Sequence, residues 1–238
     1  SHGANRGSRV QSLYWSGITT AQNLQLLPPM PIIWSKNSSG ELSLRASPLR
    51  DAWEARGRGM LLSLKRNVLG GLDTENWPSV VVTIVPRLPS GGAGGEIDPA
   101  KGIVYINAVL ANPLPQLPEV VRLAWMVAHV AIETAPSQRA THALALVPAI
   151  LESAADVELA RCDRPTISLA LDAWNVDHGL PVDGEHLAEV VWQWWSDTSA
   201  GAQQSDASPR PWAQRVAELA AILTGEADYS AAEDGEDS

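Results

Sequence analysis

The stretch AWMVAHVAIE, residues 124–133, decides how this chain folds. It is apolar almost throughout, yet it carries His129 and Glu133 four residues apart. At 100° per residue, Val120, Val121, Leu123, Ala124, Val127, Ala128, Val130, Ala131 and Ile132 cover nearly the whole circumference of a helix. A helix apolar on most sides belongs in a core. The pattern therefore predicts a buried central helix over about 118–134, with Val121, Leu123, Val127, Val130 and Ile132 in the core. Arg122, His129 and Glu133 fall on one narrow stripe of it. A buried charge without a partner is costly, so each of the three calls for one.

The next helix is expected across THALALVPAILESAADVELARC, residues 141–162, with an interruption at Pro148. It offers Glu152 and Asp156, again four apart in a run of Ala, Leu and Val. Two apolar helices with one polar stripe each are expected to face each other, bringing His129 close to Glu152 or Asp156.

Around this pair the chain reads as one mixed α+β domain, mainly helical, with a small antiparallel sheet. SVVVTIVPRL is rich in β-branched residues and reads as a strand. PSGGAGGEIDPAK reads as a glycine-rich connection and GIVYINAVL as a second strand. The loop lacks both the phosphate-cradle ending and the dinucleotide spacing of glycines. Residues 1–45 read as an extended arm, with a short hairpin over PIIWSKNSSGELSLRAS turning at Asn37 to Gly40. A helix is expected from Ser47, with Pro48 in its first turn, to Gly70-Gly71. Further helices are expected at TISLALDAWNV, GEHLAEVVWQWWSD and PWAQRVAELAAILTG. TSAGAQQSDASPRP reads as a linker, and residues 226–238 as an acidic, disordered tail. The domain limits are 46–225, with the C-terminal helices in 165–225.

Composition excludes several functions. The net charge of −10 disfavours nucleic acid and acidic membranes as partners. The sole cysteine, Cys162, rules out an internal disulfide framework and a cysteine-rich zinc finger. No run reaches the roughly 18 apolar residues of a membrane span. A single thiol fits a reducing compartment, so a cytoplasmic location is expected. The first residues, SHGANRGS, read as a scar or the edge of a trimmed region, which leaves a native leader open.

HVAIE at 129–133 and ESAAD at 152–156, with eighteen residues between Glu133 and Glu152, resemble the paired helix motifs of gluzincin metallopeptidases. The order of strand, glycine loop, strand and buried helix is also similar to the zincin core, over about 78–162. The resemblance implies His129, Glu133 and Glu152 as a zinc-ligand set, with Asp156 and Arg122 as supporting residues behind it. It also implies lost chemistry. Val130 stands where the family has its catalytic Glu. In the other register, with His129 as the second His, Trp125 replaces the first ligand and Met126 the catalytic Glu. Either way no base remains to take a proton from a metal-bound water. The implied function is a catalytically inactive zincin-like protein that binds a protein or peptide, with no cofactor expected and zinc as the exception.

Three other readings stand beside it. The five polar residues could form a buried ionic network that only joins two helices. They could serve a metal-dependent hydrolase with a rearranged site. The chain could also be a helical interaction module of other ancestry. Among the remaining candidates, His142, His178 and His186 have no partner at ligand spacing, and NVDHGLPVDGEH is the only backup metal segment. Arg161 and Arg164 flank Cys162 and could lower its pKa, but no His neighbours it in sequence, so a structural or incidental thiol is the default reading. Trp192 and Trp195 share a helix face, with Trp194 pointing elsewhere; an exposed Trp would mark a partner surface.

Overall fold

The computed structural model describes residues 32–35, 40–68, 77–90, 95–107, 114–132, 136–176, 184–204 and 210–225. Strand β1 (Ile32–Trp34) leads into a long helical rod. The rod comprises α1 (Gly40–Ala52), a π-helical stretch over Trp53–Gly57, α2 (Arg58–Ser63) and a second π-helical stretch over Leu64–Val68. Strands β2 (Val80–Val85), β3 (Gly95–Asp98) and β4 (Ile103–Asn107) follow. The rest is helical: α3 (Glu119–Ala131), a short 3-10 turn at Pro136–Gln138, α4 (Arg139–Ala155), α5 (Arg164–Ala173), α6 (Gly184–Gln204) and α7 (Trp212–Thr224).

The class is α+β and mainly helical, as the sequence predicts, but the sheet is mixed rather than antiparallel. Its order is β1-β2-β4-β3. β1 runs parallel to β2 and β2 parallel to β4, while β3 is antiparallel to β4. The long rod returns the chain to the same end of the sheet after β1, which is what a parallel pair requires. β3 then forms a hairpin with β4. Its turn is held by Lys101 N–H donating to the Asp98 carbonyl at 3.2 Å, and closes at Gly102 with φ 67°, a left-handed conformation that glycine adopts without penalty.

Three expectations near the N-terminus change. Ile32–Trp34 is no hairpin arm; it pairs with Val80–Val82 and belongs to the sheet. The first helix begins at Gly40, not Ser47, and Pro48 lies inside it. Ala46 and Leu49 are buried, which ties the segment to the core. Asn37 and Gly70-Gly71 lie outside the described residues, as do residues 1–31 and 226–238. At the other end, α6 continues to Gln204 through half of the expected linker.

Alternation explains the sheet's buried face: Val80, Val82, Ile84, Val104 and Ile106 are all buried. α3 lies against this face and against α4. Val121, Leu123, Val127, Val130 and Ile132 are buried as expected. α4 passes through Pro148 without a break and buries Leu144, Leu146, Ile150 and Leu151. It ends at Ala155 with Asp156 as its cap rather than running to Cys162. Among the described residues no helix is long and apolar enough to cross a membrane.

Candidate functional site: a cleft between the edge strand and the buried helix

β3 is the last strand of the sheet. Between it and the adjacent surface of α3 lies a cleft of about 400 Å³. Gly95, Glu96 and Ile97 form one wall, Arg122, Trp125, Met126 and His129 the floor, and Arg139 and Trp174 the far side. Gly95 admits this geometry because a side chain there would collide with Met126: an added Cβ would sit 2.6 Å from its Cε. Arg122 is buried and ion-paired with Glu119 one turn earlier on α3. Glu96 accepts a hydrogen bond from the Ser90 amide at 2.9 Å.

The two helices pair as an antiparallel hairpin, and this pairing chooses the neighbours of His129. Trp125 donates its indole N–H to the Ala143 carbonyl at 3.0 Å, which fixes the register between α3 and α4. In that register His129 meets His142. The ring centroids are 5.7 Å apart at 61°. The pair continues a stack of rings in which Trp125 is 5.6 Å from His129, Trp174 is 5.5 Å from Trp125, and Trp212 is 6.0 Å from His142. Three helices and the C-terminal cap of α5 contribute to this stack. His142 is 2% exposed, and neither nitrogen of either imidazole has a hydrogen-bond partner in the structure.

Burial in this apolar stack disfavours the charged form of both rings. The pKa of His129 is lowered to about 4 by burial, helped by the charge of Arg139. That of His142 is lowered to about 3 by burial, helped by His129. Both rings are therefore neutral at pH 7.

The acids named from the sequence have other neighbours. Glu152 lies ten residues beyond His142 on α4, about 15 Å further along the helix at 1.5 Å per residue. Burial raises its pKa, against the opposing charge of Arg215 and a hydrogen bond from Trp195, with Asp156 adding to the rise. Asp156 accepts a hydrogen bond from the Ser63 hydroxyl at the end of α2. The expected meeting of His129 with Glu152 or Asp156 is thus replaced by a meeting with His142, because antiparallel helices bring together residues equally far from their turn. Glu133 lies outside the described residues. Among the described residues, no group of three or more His, Cys, Asp or Glu side chains forms a metal-holding cluster. His178 also lies outside them, and with it most of the backup segment NVDHGLPVDGEH.

Cys162 and the tryptophans of α6 lie in buried surroundings. The Cys162 thiol is pushed up to about 12, not down, by burial and by the carboxylates of Glu152 and Asp163. The flanking arginines are engaged elsewhere, Arg161 with Asp163 and Arg164 with Glu189. Trp194 and Trp195 are both buried, with the Arg215 guanidinium 5.9 Å and 4.5 Å from their ring centroids. Trp192 is half-buried, so no exposed tryptophan surface appears among the described residues.

Comparison with known proteins finds no matching family, no matching curated protein and no matching solved structure.

Proposed function

We propose that this chain is a non-catalytic, zincin-like protein that binds an extended peptide segment of a partner protein in the cleft beside β3. The observation that carries the reading is the position of β3: an edge strand whose outer side has no partner among the described residues, directly above a cleft floored by Trp125 and His129. An extended peptide completes such an edge with backbone hydrogen bonds, while alternate side chains enter the adjoining cleft. The cleft is mixed in character. Trp125, Met126 and Trp174 suit an apolar side chain, and Arg139 suits a carboxylate.

The zincin-like assignment rests on the same arrangement. A peptidase of that kind works with an edge strand, a cleft and a buried ligand-bearing helix, and this chain combines β3, the cleft and α3. The loss of catalysis rests on Val130 and Met126, neither of which accepts a proton. Glu96 is the only carboxylate among the described residues lining the cleft, and it is already engaged by the Ser90 amide.

The test is selection from a displayed library of random peptides, followed by affinity measurement on the best sequences. Selected peptides are expected to share an apolar residue and an acidic residue at alternating spacing. Arg139→Glu is expected to weaken them about tenfold or more, in line with loss of a charge-assisted contact. A selection that returns no saturable binder, or binders indifferent to Arg139→Glu, contradicts the reading.

A further inference from the structure

The imidazoles of His129, which lines the cleft, and His142, which lies behind it, form an unusual arrangement. Four ring nitrogens are buried and none has a hydrogen-bond partner in the structure. Buried polar atoms are normally satisfied, so four orphans in one place call for a specific occupant. Trp125 and Trp212 flank the pair; the Trp125 indole N–H is already donated to the Ala143 carbonyl, and that of Trp212 is likewise without a partner in the structure. Arg139, the charged group acting on His129, supplies only donors.

We propose that His129 and His142 together hold one transition-metal ion of the zinc class at the inner end of the cleft. Metal–nitrogen bonds of about 2.0–2.1 Å place two imidazoles on one ion with ring centroids about 5–6.5 Å apart. The observed 5.7 Å falls within that span. Both rings are in the neutral form that offers a lone pair, and imidazole is a preferred ligand of zinc, copper and nickel. His142 is enclosed and does not line the cleft, whereas His129 does, so the cleft side of His129 is where such an ion would meet solvent. There, water or a carboxylate of a bound molecule completes its shell. Such a site differs from the one the HVAIE and ESAAD motifs imply, because its second ligand comes from the start of the next helix and Glu152 takes no part. It does not depend on peptide docking: a protein that binds no peptide can still bind the ion.

The experiment uses the untagged full chain, stripped with a chelator and dialysed, then titrated with zinc chloride in a calorimeter at pH 7. Cobalt(II) serves as a parallel visible-absorption probe. The expected result is one ion per chain for the wild type and for His186→Gln, with at least tenfold weaker binding for His129→Gln and His142→Gln. Thermal unfolding of the metal-free variants checks that each is folded. Because His142 is buried, His129→Gln at the cleft surface and zinc-induced shifts of the two histidine ring resonances in the wild type decide the matter if His142→Gln does not fold. Absence of saturable binding at one ion per chain, or binding retained by His129→Gln, overturns the proposal.

Discussion

His129, near the end of α3, lies ring to ring with His142, near the start of α4, at 5.7 Å between centroids. The contact joins the floor of the cleft to the helix that buries Leu144, Leu146, Ile150 and Leu151. It also places two groups that titrate near neutrality in solution inside a wall of tryptophans.

The first expectation is a pH dependence of stability in the metal-free protein. The folded values of about 4 for His129 and about 3 for His142 lie below the ordinary value of 6.5. The unfolded chain therefore binds more protons than the folded one once the pH falls below the ordinary value. The stabilisation is complete above about pH 6.5 and is lost as the pH drops towards the folded values, at up to about 1.4 kcal/mol per pH unit for each ring. Urea unfolding between pH 7 and pH 5 measures it. His142→Leu is expected to flatten the slope; a slope unchanged by that substitution would refute the assignment.

Gly57 supports the face of Trp53 within the π-helical part of the rod. A Cβ at residue 57 would lie 2.4 Å from the Trp53 ring, and Trp53 is 3% exposed. Gly57→Ala is expected to destabilise the protein by roughly 1–3 kcal/mol through overpacking, despite the better helix propensity of Ala. Thermal or urea unfolding checks the sign, and a more stable variant would mean that the ring moves freely.

Asp163 starts α5. Its Oδ1 accepts from the Thr166 amide at 3.0 Å and also from the Thr166 hydroxyl, and these bonds hold its carboxyl below the usual range. Asp163→Ala should cost about 0.5–2 kcal/mol at pH 7. The depressed pKa makes this contribution present above the ordinary carboxylate value and lost as the pH falls through the folded one. Equal loss for Asp163→Ala at pH 7 and at pH 2 would contradict the capping role.

Peptide cleavage is expected to be absent, with or without added zinc. On the proposed zincin-like reading, Val130 or Met126 stands where that family has its base, and lack of a general base costs on the order of 10²–10⁴-fold in rate. Mass spectrometry of a peptide library incubated with zinc-loaded protein checks this. Turnover abolished by His129→Gln would establish a hydrolase.

The parts of this fold legible in the sequence are those set by local periodicity. The all-round apolar pattern of 120–132 identified a buried helix, and β-branched runs identified β2 and β4. The parts that escaped depend on distant partners. Ile32–Trp34 becomes a strand only because Val80–Val82 lies beside it. β3 is the short GEID segment within a glycine-rich connection, and its four residues are all half-buried, without the in-out alternation that marks a strand. At the site, equal spacing of four along each helix suggested that polar stripes would meet, but spacing along one helix says nothing of axial register between two. The Trp125–Ala143 hydrogen bond fixes that register. Counting outward from the turn would have paired His129 with His142. His142 went unrecognised because a lone histidine in THALALVPAI has no partner within its own helix.

The central claim is that the outer edge of β3, which has no strand partner among the described residues, receives an extended peptide. Amide hydrogen exchange of the chain, free and saturated with a selected peptide, tests it most directly. The account predicts new protection at Gly95 to Asp98, with shifts of the Trp125 indole and His129 ring resonances by NMR and the peptide recovered intact. Protection confined to other elements, with β3 exchanging as fast as in the free protein, would contradict it.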